Sequence, residues 1–180
     1  MRIDESELEL TRGDITEQST EAIVNAANEG LAPGGGVAGA IHRAAGPELW
    51  EECKKLGGCR TGEAKLTRGY NLPAPYVIHT VGPVYSGSPQ DPKLLEACYR
   101  NSLKLAVENG IKSVSFPAIS TGAFRYPIEK AARVALKAVI AFMKEHQEIR
   151  LLVRFVLYSP KALKIHEEAL NEIFEKNVSP

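Results

Sequence analysis

Asn25-Ala-Ala-Asn28, followed by Pro33-Gly-Gly-Gly-Val-Ala-Gly-Ala-Ile-His42, is the stretch on which the reading of this 180-residue chain turns. The apolar run Ala22–Ala26 has the length and β-branching of a buried strand and ends at this stretch. An alanine-rich helix is predicted to begin near Gly36. Glycines at a strand-to-helix junction let main-chain N–H groups approach an anion closely, and the helix adds the positive end of its dipole. That is phosphate-binding chemistry without a lysine. A helix-entry turn built of small residues for close packing is the other reading of the same letters.

A second junction of this kind lies at Phe116-Pro-Ala-Ile-Ser-Thr-Gly-Ala-Phe-Arg-Tyr-Pro127. There too a strand runs into a small-residue turn, Ser120–Ala123, and a helix follows near Pro127. Ligands of open α/β sheets sit beyond the carboxyl ends of the strands, where two such loops can face one another. A pair of anion turns suggests a diphosphate held from both sides.

Working outward, strands are predicted at Glu7–Thr11, Ala64–Arg68, Tyr76–Val81, Ser113–Ala118 and Leu151–Tyr158, with helices at Lys93–Asn109, at Pro127–His146 and from Ser159-Pro160 onward. Gly110 suits the position after a helix end, and Ser159-Pro160 suits an N-cap and first turn. Several strands are apolar on both faces, so the fold class expected is α/β, a three-layer α/β/α sandwich. No repeat or long Pro/Ser linker divides the chain, and a single domain over residues 1–180 is expected.

Two familiar phosphate folds are excluded. Gly34-Gly-Gly-Val-Ala-Gly39 matches GxGxxG in form but lies well past the strand end, and the acids downstream of it, Glu51 and Glu52, fall in a predicted helix rather than at a strand end. A P-loop needs GK[ST] opening a helix, which the chain lacks.

Composition narrows the function. Lys plus Arg and Asp plus Glu number 22 each, a formal charge of zero, which argues against a nonspecific nucleic-acid or anionic-membrane binder. The three cysteines Cys53, Cys59 and Cys98 form no CxxC and are odd in number, so reduced thiols and a cytoplasmic location are expected. Met1–Leu10 lacks the order of a signal peptide, and no apolar run approaches the roughly 20 residues of a membrane helix. No metal-ligand spacing appears, and neither a metal nor a cofactor is expected.

Taken in order, Gly13-Asp-Ile-Thr16, Ile23-Val-Asn-Ala-Ala-Asn28, Gly34-Gly-Gly-Val37, Ile41-His-Arg-Ala-Ala-Gly46, His79-Thr-Val-Gly-Pro83 and Ile119-Ser-Thr-Gly-Ala-Phe124 resemble the macrodomain family over nearly the whole chain. The Ile41–Gly46 run and Ser120–Pro127 resemble the MacroD-type hydrolases in particular. The resemblance implies a mixed six- or seven-stranded sheet between helices, binding ADP-ribose along its crest. Asp14 would then accept from the adenine amine, with the Ile15 backbone in support; its plain reading is a turn or helix cap. Tyr158 would stack on adenine, or be a half-buried strand-end tyrosine. Asn28 would bond the distal ribose while Asn25 orders the loop. Gly35, Gly36, Val37 and Ala38 would meet one side of the diphosphate and Ser120, Thr121, Gly122, Ala123 and Phe124 the other. Phe124 would also wall the ribose, unless it is only a lid over the following helix.

Catalysis is read from the same resemblance. Many MacroD-type enzymes carry aspartate where this chain has Ala38, which removes the obvious carboxylate for orienting water, a role contributing roughly 10²–10⁴-fold. Some viral members resemble this chain in having Gly-Gly-Gly-Val-Ala-Gly, and for them a phosphate oxygen of the bent substrate is proposed to position the water. Asn28 and His42 are the catalytic candidates here, although a helix histidine is as readily a packing residue. His79 reads as structural, and none of the three cysteines shows an activating partner. The expected activity is hydrolysis of mono-ADP-ribosyl-protein esters or of O-acetyl-ADP-ribose, by a monomer. A non-catalytic ADP-ribose reader and a poly(A) or RNA binder are the alternatives, the last disfavoured by neutral charge.

Overall fold

Alternation along strand β3 (Ala22–Ala26) shows how the layers form. Ala22 and Val24 pack into one apolar cluster, and Ile23 into a second on the opposite face of the sheet. Strand β5 (Tyr76–Thr80) divides likewise, Ile78 to the first cluster and Val77 to the second. Strands apolar on both faces must be covered twice. The computed structural model, which describes residues 1–178, supplies both covers.

The sheet has seven strands in the order β1-β2-β7-β6-β3-β5-β4. These are β1 (Arg2–Ile3), β2 (Ser6–Arg12), β3, β4 (Ala64–Arg68), β5, β6 (Ser113–Phe116) and β7 (Leu152–Leu157). β2, β7, β6, β3 and β5 run parallel, while β1 and β4 lie antiparallel at the edges. The expected mixed α/β/α sandwich is therefore observed. β1, absent from the sequence reading, is a two-residue hairpin arm paired Arg2 to Glu7 and Ile3 to Ser6, too short to show any period.

Helices α3 (Gln90–Glu108), α4 (Ile128–Glu145) and α5 (Pro160–Val178) carry the first cluster, whose aromatic centre is Tyr99, Phe116 and Phe155. Helices α1 (Gly36–Ala45) and α2 (Pro47–Lys54), with a 3-10 turn at Ile15–Glu17, carry the second through Ile15, Ile41, Leu49 and Cys53. The capping signals act as read: the Ser159 hydroxyl accepts from the Ala162 N–H at 3.1 Å, and Gly110 adopts φ +69° just past α3. Among the described residues no helix is long and apolar enough to cross a membrane.

Because five strands are parallel, their carboxyl ends share one edge. From one side to the other that edge presents Gly13-Asp14 after β2, Tyr158 after β7, the 117–127 loop after β6, the 27–35 loop after β3 and Gly82 after β5. At roughly 4.8 Å per strand, Asp14 and Asn28 follow strands about 14 Å apart.

Candidate functional site

The two loops read from the sequence do face one another. A cleft of about 280 Å³ is lined by Asn28, Gly34–Ala38, Gly82, Ile119, Ser120, Gly122, Ala123 and Phe124, among others. Larger hollows of about 550, 430 and 320 Å³ lie beside the Glu9–Arg154 ion pair, beside Arg150 and between Glu29 and Lys65; none of them is lined by both glycine loops.

On the first side α1 begins with Gly35 as an N-cap that has no side-chain partner. The first intrahelical bond comes from Gly39 N–H to the Gly35 carbonyl at 3.2 Å, so the Gly36, Val37 and Ala38 amides open into the cleft without a carbonyl partner. Gly39 itself is required by packing: a Cβ there would run into the Gly34 carbonyl oxygen. On the second side Ser120 holds φ +68° and Arg125 φ +62°, and Tyr126 N–H closes the loop on the Ser120 carbonyl at 2.9 Å. The Gly122, Ala123 and Phe124 amides bond no backbone carbonyl. Thr121 differs. Its N–H and hydroxyl both turn back to the Ala118 carbonyl, at 3.4 and 2.8 Å, and it does not line the cleft. Gly82, which sequence reasoning left without a role, forms the end wall, and a Cβ on it would collide with the Ser120 hydroxyl. Its position directly after a strand, in Val81-Gly82-Pro83, was the available signal. The Ser120 hydroxyl is buried and has no hydrogen-bond partner.

Asn28 holds the first loop, whereas the Asn25 side chain bonds His79 and leaves its own Oδ1 without a partner. Asn28 Oδ1 accepts from Ala32 N–H and its Nδ2 donates to the Ala32 carbonyl, each at 2.9 Å, which ties the turn that contains Leu31 at φ +56°. Nδ2 carries a second hydrogen, and Asn28 lines the cleft. Asn25 is buried beneath the loop, with Nδ2 3.0 Å from His79 Nδ1. His79 Nε2 lies 2.8 Å from the Thr67 hydroxyl, which itself donates to the Arg68 carbonyl. These partners select the His79 tautomer that accepts at Nδ1 and donates at Nε2. Burial, and secondarily His42, push its pKa down to about 3.

His42 shares a helix face with Ala38, as the spacing predicts, but one turn deeper. Ala38 lines the cleft and His42 does not; it is buried, 6.5 Å ring to ring from His79, with neither nitrogen hydrogen-bonded. Burial lowers its pKa, so it is neutral at pH 7. The cysteines are buried as well. Cys53 lies 3.8 Å from His79 Nε2, but a neutral imidazole does not stabilise a thiolate, and burial pushes both Cys53 and Cys98 up to about 11 and raises Cys59. Among the described residues no group of three or more His, Cys, Asp or Glu side chains is placed to hold a metal.

The far end of the edge holds Asp14, Ile15 and Tyr158, outside the cleft lining. Asp14 is a cap: Oδ1 accepts from the Thr16 amide at 2.9 Å and the Thr16 hydroxyl at 2.7 Å, leaving Oδ2 unbonded. Ile15 is buried. Tyr158, rather than half-buried, is 86% exposed, since the strand ends at Leu157 and the chain turns out toward α5. Gly13 N–H bonds the Leu157 carbonyl at 3.0 Å, which brings Asp14 and Tyr158 side by side.

Comparison with known proteins agrees with this geometry. The Macro domain family matches residues 24–135. A Macro domain-containing protein of Chlorobaculum tepidum is 51% identical over 160 residues, covering 88% of this chain and 92% of the relative. The ADP-ribose glycohydrolase MACROD2 of Xenopus laevis is 51% identical over 168 residues, which cover 92% of this chain but only 40% of that protein. Among solved structures, the Oceanobacillus iheyensis macrodomain with ADP superposes with a TM-score of 0.94 at 43% identity, covering 98% and 96% of the two chains. The Trypanosoma brucei macrodomain in complex with ADP-ribose gives 0.86 at 45% identity, covering 91% and 68%.

Proposed function

The chain belongs to the Macro domain family, and on that premise we propose that it binds ADP-ribose and hydrolyses a mono-ADP-ribosyl ester on protein, or O-acetyl-ADP-ribose. The observation that carries the reading is the pair of opposed turns whose amides, Gly36–Ala38 and Gly122–Phe124, have no carbonyl partner and line one cleft. Unpaired main-chain donors at a helix start are a ready anion site, and two sets facing one another fit a diphosphate. The crest supplies the remaining contacts. Asp14 Oδ2 takes the adenine amine, Tyr158 stacks on the base, and the spare Nδ2 hydrogen of Asn28 meets the distal ribose.

Hydrolysis follows from holding the diphosphate bent between the loops. For a mono-ADP-ribosyl ester a phosphate oxygen then orients a water, whose oxygen bonds to the anomeric carbon while the bond to the leaving carboxylate breaks; the water proton passes to solvent and the products are ADP-ribose and a free carboxylate. For O-acetyl-ADP-ribose the water adds instead to the acetyl carbonyl carbon and the acyl bond to the ribose oxygen breaks, giving acetate and ADP-ribose. Asn28 fixes the ribose for this attack. His42, neutral and beneath the cleft floor, supports the helix rather than touching the reacting atoms. The test is to incubate the protein with a mono-ADP-ribosylated polypeptide and with O-acetyl-ADP-ribose and follow ADP-ribose release. Release from either supports hydrolysis; saturable ADP-ribose binding with turnover of neither overturns it.

A second reading, a non-catalytic ADP-ribose module, is favoured by one observation: Ala38 lines the cleft and offers no carboxylate. On that reading wild type is inactive and Ala38→Asp gains activity. A wild type that already turns over substrate removes it.

A further inference from the structure

We propose that the surface formed by Val84, Tyr85, Arg125 and Lys130 receives the polypeptide that carries the modification, and that it favours an acidic stretch. The inference rests on the hydrolase reading above and adds to it the kind of partner.

Strand order locates this surface. The adenine position lies over β2 and β7, and Gly82, which ends the cleft, follows β5 on the far side of β3. A side chain linked to the distal ribose therefore leaves the cleft beside Phe124 and the segment after Gly82. That segment is held at both ends. Tyr85 N–H donates to the Phe124 carbonyl at 2.8 Å. Beyond it the Asp91 carboxylate, buried at the start of α3, accepts from Ser86 N–H, Ser86 hydroxyl and Gly87 N–H at 2.9, 3.0 and 2.8 Å. Between these anchors Val84 is 64% exposed. A single exposed valine is unremarkable in general. A valine fixed on a doubly anchored loop, two residues from the cleft wall, is a preorganised apolar contact.

Two cations lie beside it, while the Asp91 carboxylate on the same loop is buried and bonded to Ser86 and Gly87. Lys130 Nζ lies 5.9 Å from the Tyr85 ring centroid and 3.4 Å from its hydroxyl, and the Tyr85 ring packs 5.0 Å from Tyr126. Arg125 is exposed at the tip of the second loop, its N–H bonded to the Gly122 carbonyl at 2.9 Å. Among the described residues neither cation pairs with a carboxylate. Unpaired cations beside an exposed valine and a half-buried tyrosine complement an acidic polypeptide. A nucleic acid is favoured less, because its affinity scales with the number of phosphates neutralised and this surface offers two charges.

Three substrates and two variants test it: O-acetyl-ADP-ribose, a glutamate-linked ADP-ribosyl peptide with acidic flanks, and the same peptide with lysine flanks, against Val84→Glu and Lys130→Glu, with thermal melts to verify folding. KM and peptide Kd are both measured. Expected is a rise of about tenfold in both for the acidic peptide, with kcat, O-acetyl-ADP-ribose turnover and ADP-ribose affinity unchanged, and no loss for the lysine-flanked peptide. The proposal is overturned if the acidic peptide is unaffected, if the small ester suffers equally, or if both variants instead discriminate against an ADP-ribosylated RNA end. Wild-type turnover of O-acetyl-ADP-ribose reports on the hydrolase reading separately, and peptide Kd reports on this surface even in an inactive protein.

Discussion

Asn28 has two tasks that one substitution can separate. Its amide joins both polar groups of Ala32, and the residue lines the cleft with one Nδ2 hydrogen to spare. Asn28→Ala is expected to lower stability by about 1–3 kcal/mol, the usual range for hydrogen bonds left unmade. It should also cut kcat/KM by roughly 10–150-fold, the scale of one bond to a charged or reacting group. Denaturant melts and steady-state kinetics read the two effects independently, and a fall in stability with unchanged kinetics would leave Asn28 only its loop. Tyr158 is the opposite kind of residue. Being 86% exposed, it contributes nothing to packing, so Tyr158→Ala should leave unfolding within about 0.5 kcal/mol of wild type. ADP-ribose should bind about 5–150-fold more weakly if the ring stacks on adenine. An unchanged Kd removes the stacking role.

At the scale of the element, the β3-to-α1 junction combines a glycine needed for packing with one left free for the ligand. Gly39→Ala drives a methyl group into the Gly34 carbonyl and should cost about 1–3 kcal/mol while displacing the loop. A Cβ on Gly35 meets nothing within 4 Å, and Gly35 already has an extended φ of −88°. Gly35→Glu should therefore fold normally yet lose ADP-ribose affinity by at least about a hundredfold, because a carboxylate then occupies the anion site. Normal affinity in that variant would place the diphosphate elsewhere. This junction was legible in the sequence because its signals are local: a short apolar, β-branched run, then glycines, then an alanine-rich helix. The bounds of β3 and β4 follow from the same pattern. What the sequence concealed depends on depth or on distant pairing. His42 shares a face with Ala38, but nothing in the spacing says that one residue lines the cleft and the other lies below it. The Asn25–His79–Thr67 chain joins three strands through lateral register. Thr121 looks like its glycine and alanine neighbours in sequence, yet its amide and hydroxyl are both spent on Ala118.

Across the whole molecule, three buried histidines couple folding to pH. Burial lowers the pKa of His42 and His166 and brings His79 to about 3, against an unfolded value near 6.5. A group whose folded pKa is depressed binds its proton first in the unfolded chain. Its contribution is present above about pH 6.5 and is lost as the pH falls toward the folded value, at roughly 1.4 kcal/mol per pH unit for each proton. From pH 6.5 to 5, where carboxylates are still largely ionised in both states, His79 alone should cost about 2 kcal/mol and some 4–8 °C in Tm. A flat Tm over that interval would mean that His79 takes up a proton without unfolding. The five parallel strands place every expected contact for an adenosine diphosphoribose in one line along a single edge. The claim on which that arrangement depends is that peptide amides, not basic side chains, hold the diphosphate. An ADP-ribose titration followed by backbone 15N–1H correlation NMR tests it most directly. The largest saturable shifts are expected at the amides of Gly36, Val37, Ala38, Gly122, Ala123 and Phe124; shifts centred on the Arg150 or Arg154 hollows, or none at millimolar ligand, would contradict the claim.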